Sequence, residues 1–200
     1  MSRSPSWRNI IKKPLPMPAL VWLFQGLEKM PDRTAALVAG ALLERALEKA
    51  IASRLTKLKL ARYKEVFDGT GPLSNFQAKI RIGFALSLFG NNCYSDLDKI
   101  RVVRNVFAHA AHNVQFNTKR IANQCNQLKT CKHPVVPAMF TLLRGLSPAE
   151  LSKKDAVIPT LRNAKEKYIY TSILLYMCLA SQTICRPQRS RSGFTRKYLS

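Results

Sequence analysis

Three residues on one short stretch, Arg104, Asn105 and His109, have side chains suited to chemistry. Cleaving RNA requires a base to take the proton from a ribose 2′-hydroxyl and a cation to stabilise the extra charge at phosphorus. An imidazole with a reference pKa of about 6.5 suits the proton transfer. A permanently charged, planar guanidinium suits the phosphoryl oxygens. Asn105 could hold either side chain in position, and His112 could be a second acid/base or simply lie past the helix end. Arg101 lies one turn before Arg104 and adds positive charge. On a helix, Arg104 and His109 stand ~140° apart around the axis. They border one groove only where His109 sits at a relaxed helix end. The competing reading is structural: Arg104 pairs with Asp96, Asp98 or an acid of another helix, and His109 caps the helix C-terminus. Side-by-side, exposed side chains would favour catalysis, and burial of both against carboxylates would oppose it.

Other constellations are weaker. Cys125, Cys131 and His133 fit no familiar zinc spacing, and the sequence calls for no metal or cofactor. The Gly-Thr-Gly-Pro run at 69–72 lacks a Gly-Lys-Ser/Thr ending and is not a phosphate loop. Glu44/Glu48 and Asp96/Asp98 read as helix-surface and first-turn acids. Thirty-three Lys and Arg against eleven Asp and Glu give a net charge of +22, spread over the fold as well as the tails. That balance favours anionic partners: RNA or DNA first, a membrane surface second, an acidic protein third. Arg101, Arg104, Lys119 and Arg120 are the candidate nucleic-acid contacts. Five cysteines, without a C-x-x-C pair, argue for a reducing compartment, hence the cytoplasm.

The elements that must position these residues are helical. Residues 1–18 read as a basic flexible arm, 19–185 as a helical domain and 186–200 as a basic tail. The spacing predicts a helix over 19–30 and a long one from an Asp32 N-cap to about Leu60. A turn at Phe67–Leu73 precedes a helix capped by Ser74 and Gln77 that runs to Phe89, where Gly90-Asn91-Asn92 stops it. Ser95 and Asp98 then open a helix through His109, docked by Ile100, Val103 and Phe107. Thr118 caps a further helix to about Lys132, Ser147–Glu150 begins a short turn, and a last long helix covers 162–183. Residues 168–185 carry no charge, but Thr171, Ser172, Ser181, Gln182 and Thr183 favour a buried core helix over a membrane span. Pro14, Pro16 and Pro18 argue against a signal peptide. No alternating run suggests a strand. The expected fold class is all-α, a bundle of five to seven helices.

R-N-V-F-A-H at 104–109 matches the R-x4-H pattern of HEPN domains. More broadly, F-D-G-T-G-P-L at 67–73, the helix starting S-N-F-Q-A-K-I and Y-S-D-L-D-K-I-R-V-V-R-N-V-F-A-H resemble the mannitol operon repressor family, over about residues 32–130. The resemblance implies a HEPN-like bundle that forms a homodimer, with the Arg/His segments of two subunits facing each other. It also implies negative control of transcription, through DNA or a protein partner. In active HEPN proteins the composite site is a metal-independent endoribonuclease, and Arg104, Asn105 and His109 would be its residues here.

Overall fold

The computed structural model describes residues 15–55, 60–130, 143 and 161–184. Among them are seven helices and no strand: α1 (Met17–Lys29), α2 (Asp32–Arg54), α3 (Leu60–Phe67), α4 (Phe76–Ala85), α5 (Asn91–His109), α6 (Lys119–Asn126) and α7 (Ala164–Ile184). The all-α bundle follows the apolar periodicity. The arms at 1–14 and 185–200, and the turn at Ser147–Glu150, lie outside the described residues.

α2 and α7 form the centre. Alanines at 35, 36, 39, 46 and 50 on α2 are buried beside Leu43, Leu47 and Ile51. Their small side chains let α7, α5, α4 and α1 all pack against the same helix. α7 contributes Tyr168, Ile169, Tyr170, Ile173 and Leu175 to the core. The uncharged stretch is thus a core helix, and no helix among the described residues is long and apolar enough to cross a membrane. The Tyr168 hydroxyl donates to the Ala36 carbonyl of α2 at 3.0 Å, which satisfies a phenol that is wholly buried.

Several helix ends differ from expectation. Asp32 is the first residue of α2 instead of its cap; its carboxylate accepts from the Phe116 N–H (2.9 Å) and pairs with Lys165 (3.2 Å). α2 stops at Arg54, well short of Leu60. Asn75, not Ser74, caps α4, accepting from the Ala78 N–H at 2.8 Å. Gly90 to Asn92 start a helix and do not stop one: Gly90 is extended, its carbonyl accepts from Tyr94 N–H, and α5 begins at Asn91. Ser95 and Asp98 therefore lie inside α5. Thr118 does precede α6, but its hydroxyl accepts from Gln115 N–H before the helix, and α6 ends at Asn126.

The turn after α3 explains its two glycines. Gly69 has φ +57°, and a Cβ on Gly71 would stand 2.5 Å from the Glu65 carbonyl oxygen. At the end of α4 the same left-handed conformation falls on Ser87 (φ +55°), while Leu88 N–H returns to the Gly83 carbonyl. Ser87 is exposed, so its side chain supplies no packing to offset that conformation. Ser87→Gly is expected to stabilise the fold by about 0.5–1 kcal/mol, read as a higher urea midpoint at unchanged slope. A lower midpoint would contradict the assignment.

Candidate functional site

The polar centre of the molecule begins with two charges inside apolar stripes. On α4 the buried positions are Phe76, Lys79, Ile80 and Gly83, a single helical face with a lysine in it. On α2, Glu48 is buried between Leu47 and Ile51. Neither charge could be buried alone, because an unpaired ion in a low-dielectric interior costs several kcal/mol. They meet: Lys79 Nζ donates to Glu48 Oε2 at 2.9 Å and to Glu44 Oε1 at 3.1 Å. Glu48 Oε1 also accepts from Arg45 (2.8 Å) and from the Tyr63 hydroxyl of α3. Burial, followed by the hydrogen bond to Glu48 and its negative charge, pushes the Tyr63 phenol well above its ordinary range.

Arg104 joins this cluster from α5. Its Nη2 donates to Glu44 Oε2 at 3.2 Å and its Nη1 to the Asn105 side-chain oxygen at 3.0 Å. Gly40 makes the approach possible, since a Cβ there would lie 2.8 Å from Arg104 Cγ and 3.3 Å from the Tyr168 hydroxyl. One turn earlier, Arg101 grips Asp98 Oδ1 with Nε (2.9 Å) and Nη2 (2.7 Å). Above these pairs lies a groove lined by Glu44, Ser74, Asn75, Phe76, Gln77, Arg101, Arg104 and Asn105.

Of the sequence candidates, Arg101, Arg104 and Asn105 come together on this groove, and His109 does not line it. His109 is the exposed last residue of α5, and its imidazole makes no hydrogen bond or ion pair among the described residues. The cationic group at that helix end is Arg33 of α2, which donates to the carbonyls of Ala108 (3.2 Å) and Ala110 (3.1 Å). His112 is exposed beyond the helix, and Lys119 and Arg120 are exposed at the start of α6.

Two acid pairs need correction. Glu44 and Glu48 are not surface acids: they hold the buried cluster, and the signal that reveals it is Lys79 standing in an apolar stripe. Asp96 is fully buried, and its carboxylate accepts from the N–H groups of Lys129 (2.9 and 3.0 Å) and Thr130 (2.6 Å). Asp98 does stay at the surface, in its pair with Arg101. Among the described residues no group of His, Cys, Asp or Glu could hold a metal ion. Cys125 is buried, Cys93 half-buried and Cys178 exposed, all as free thiols; Cys131, His133 and Cys185 lie outside the described residues.

The mannitol repressor family model matches residues 39–186, and the chain belongs to that family. The match extends the resemblance seen over 32–130 through α7. No curated protein matches the chain significantly. Among solved structures, the fold is similar to that in the X-ray structure of the MtlR–HPr complex from Escherichia coli. That likeness has a TM-score of 0.56 at 14% identity, over 81% of this chain and 99% of that one.

Lys79→Met leaves two carboxylates facing each other in the interior and is expected to cost about 3–5 kcal/mol in urea unfolding. A loss below about 1 kcal/mol would mean that the cluster is not a structural anchor. A second expectation concerns pH. Because the folded pKa of Tyr63 lies above the ordinary value of 10.0, the stability tied to its proton is complete below that pH. Stability then falls as the pH rises further, where the unfolded chain ionises first. Tyr63→Phe should flatten this decline in urea midpoints followed from about pH 9 to about pH 11; an unchanged slope would assign the loss to other groups.

Proposed function

We propose that this member of the mannitol repressor family is a cytoplasmic, dimeric regulator that acts in negative control of transcription and does so through a protein partner. The observation that carries this reading is the family match over 39–186, which takes in every residue lining the groove. A protein partner is supported by the similar solved structure, in which MtlR is in complex with HPr. The positive surface, including exposed Lys119 and Arg120, supplies attraction to nucleic-acid phosphates, which by itself carries no sequence information. The regulatory reading also accords better with the side chains than RNA cleavage does. Arg104 lines the groove and His109 stands off it, so the acid/base and the cation do not share one site within a chain.

The test has three arms. Sedimentation equilibrium should give twice the 22.6 kDa chain mass. Expression beside a reporter driven by a mannitol-operon promoter should lower reporter output, and titration with purified HPr should give saturable heat. A monomer that neither lowers the reporter nor binds HPr would refute the proposal. RNA incubated in chelator should survive wild type and His109→Ala alike; cleavage by wild type alone would transfer the site to the ribonuclease reading.

A further inference from the structure

We propose that the groove between α4 and α5 is a binding site for a phosphoryl group, held by Arg101 and Arg104. This goes beyond the regulatory reading, because it concerns a ligand that neither the family match nor the solved relative names. The argument starts from hydrogen bonds that the two guanidinium groups do not use. A guanidinium has five N–H donors in a planar fork. Arg101 spends Nε and Nη2 on a single oxygen of Asp98, and its Nη1 has no partner among the described residues. Its side chain is only 18% exposed and lines the groove. Arg104 spends Nη2 on Glu44 and Nη1 on Asn105, and its Nε has no partner among the described residues. Both forks are therefore held rigidly by carboxylates while keeping donors for an incoming group, so little ordering remains to be done on binding.

The lining supports an oxyanion over an apolar ligand. Ser74, Asn75, Gln77 and Asn105 are neutral hydrogen-bonding side chains around the two arginines. Glu44 is the one carboxylate in the lining, and Lys79 and Arg104 already neutralise it. Taking the groove and the cluster behind it together, four cations (Arg45, Lys79, Arg101, Arg104) face three carboxylates (Glu44, Glu48, Asp98), which leaves one positive charge in excess. A phosphoryl group carries close to two charges and three acceptor oxygens, enough to engage both forks and the neutral donors together. A carboxylate brings one charge to guanidiniums that already hold carboxylates. The volume of about 370 Å³ suits a small organic phosphate or one phosphorylated side chain.

The experiment uses the full chain at constant ionic strength set with chloride. Inorganic phosphate, glycerol phosphate and a short phosphoserine peptide are titrated by calorimetry, with 31P line widths as a second readout. Binding of all three at similar strength assigns a small phosphate; much tighter binding of the peptide assigns a phosphorylated protein. In either case Arg101→Gln should weaken binding about tenfold or more, as expected for a lost charge-assisted pair. Lys29→Gln, which removes an exposed cation at the end of α1 that neither lines the groove nor joins the cluster behind it, should leave binding within about twofold. Arg101→Lys, which keeps the charge but not the fork, should fall between them and guards against a folding artefact. No binding of any probe overturns the proposal. So does equal weakening by Arg101→Gln and Lys29→Gln, which would show only attraction to a strongly basic chain. None of these readouts depends on repression, HPr or dimer formation, so the two proposals can fail separately.

Discussion

A lysine buried between two glutamates is the constraint on which the rest of this bundle depends. Lys79 can enter the interior only if Glu44 and Glu48 are there to meet it, and those carboxylates come from a different helix. Hydrophobic burial is non-directional, whereas this pairing specifies which atoms must meet. It sets how α4 lies on α2, and through Glu44 and Arg104 it sets α5 on α2 as well. The groove is the space left above that three-helix junction. Hydrophobic burial supplies most of the driving force for collapse, while the ionic cluster selects one arrangement from among the collapsed ones.

Gly40 plays the complementary role. At the crossing of α2 with α5 and α7, even a methyl group would collide with the Arg104 stem and crowd the Tyr168 hydroxyl. The helix accepts a residue of poor helical propensity there because two neighbours need the volume. The glycine thus connects the ionic junction to the Tyr168–Ala36 hydrogen bond in the centre of the core. A single small residue lets a charged side chain and a buried phenol share one side of a helix.

Much of this was legible in the sequence. The helices follow from periodicity, and Ile100, Val103 and Phe107 are buried on one face of α5 as the spacing required. Arg104 pairing with an acid from another helix was one of the readings open from the outset. Less was legible where a residue acts over a distance in the chain. Glu48 and Asp96 look like ordinary helix acids because their partners, Lys79 and the amides at 129 and 130, are 31 to 34 residues away. Helix starts were misplaced for a related reason. Ser74 and Ser95 carry the right side chains, but Asn75 and the extended backbone at Gly90 perform the capping. Local chemistry identifies candidates for a role, and three-dimensional neighbours choose among them.

Asp32 and Arg33, adjacent at the start of α2, hold the chain on both sides of His109: one accepts from Phe116 N–H, and the other bonds the carbonyls of Ala108 and Ala110. These two residues precede position 39, where the family match begins. The frame around His109 is therefore supplied from upstream of the matched segment. The end of α5 is thus held by a two-residue bracket that shares no side chain with the ionic junction, and the one can be altered with the other left untouched.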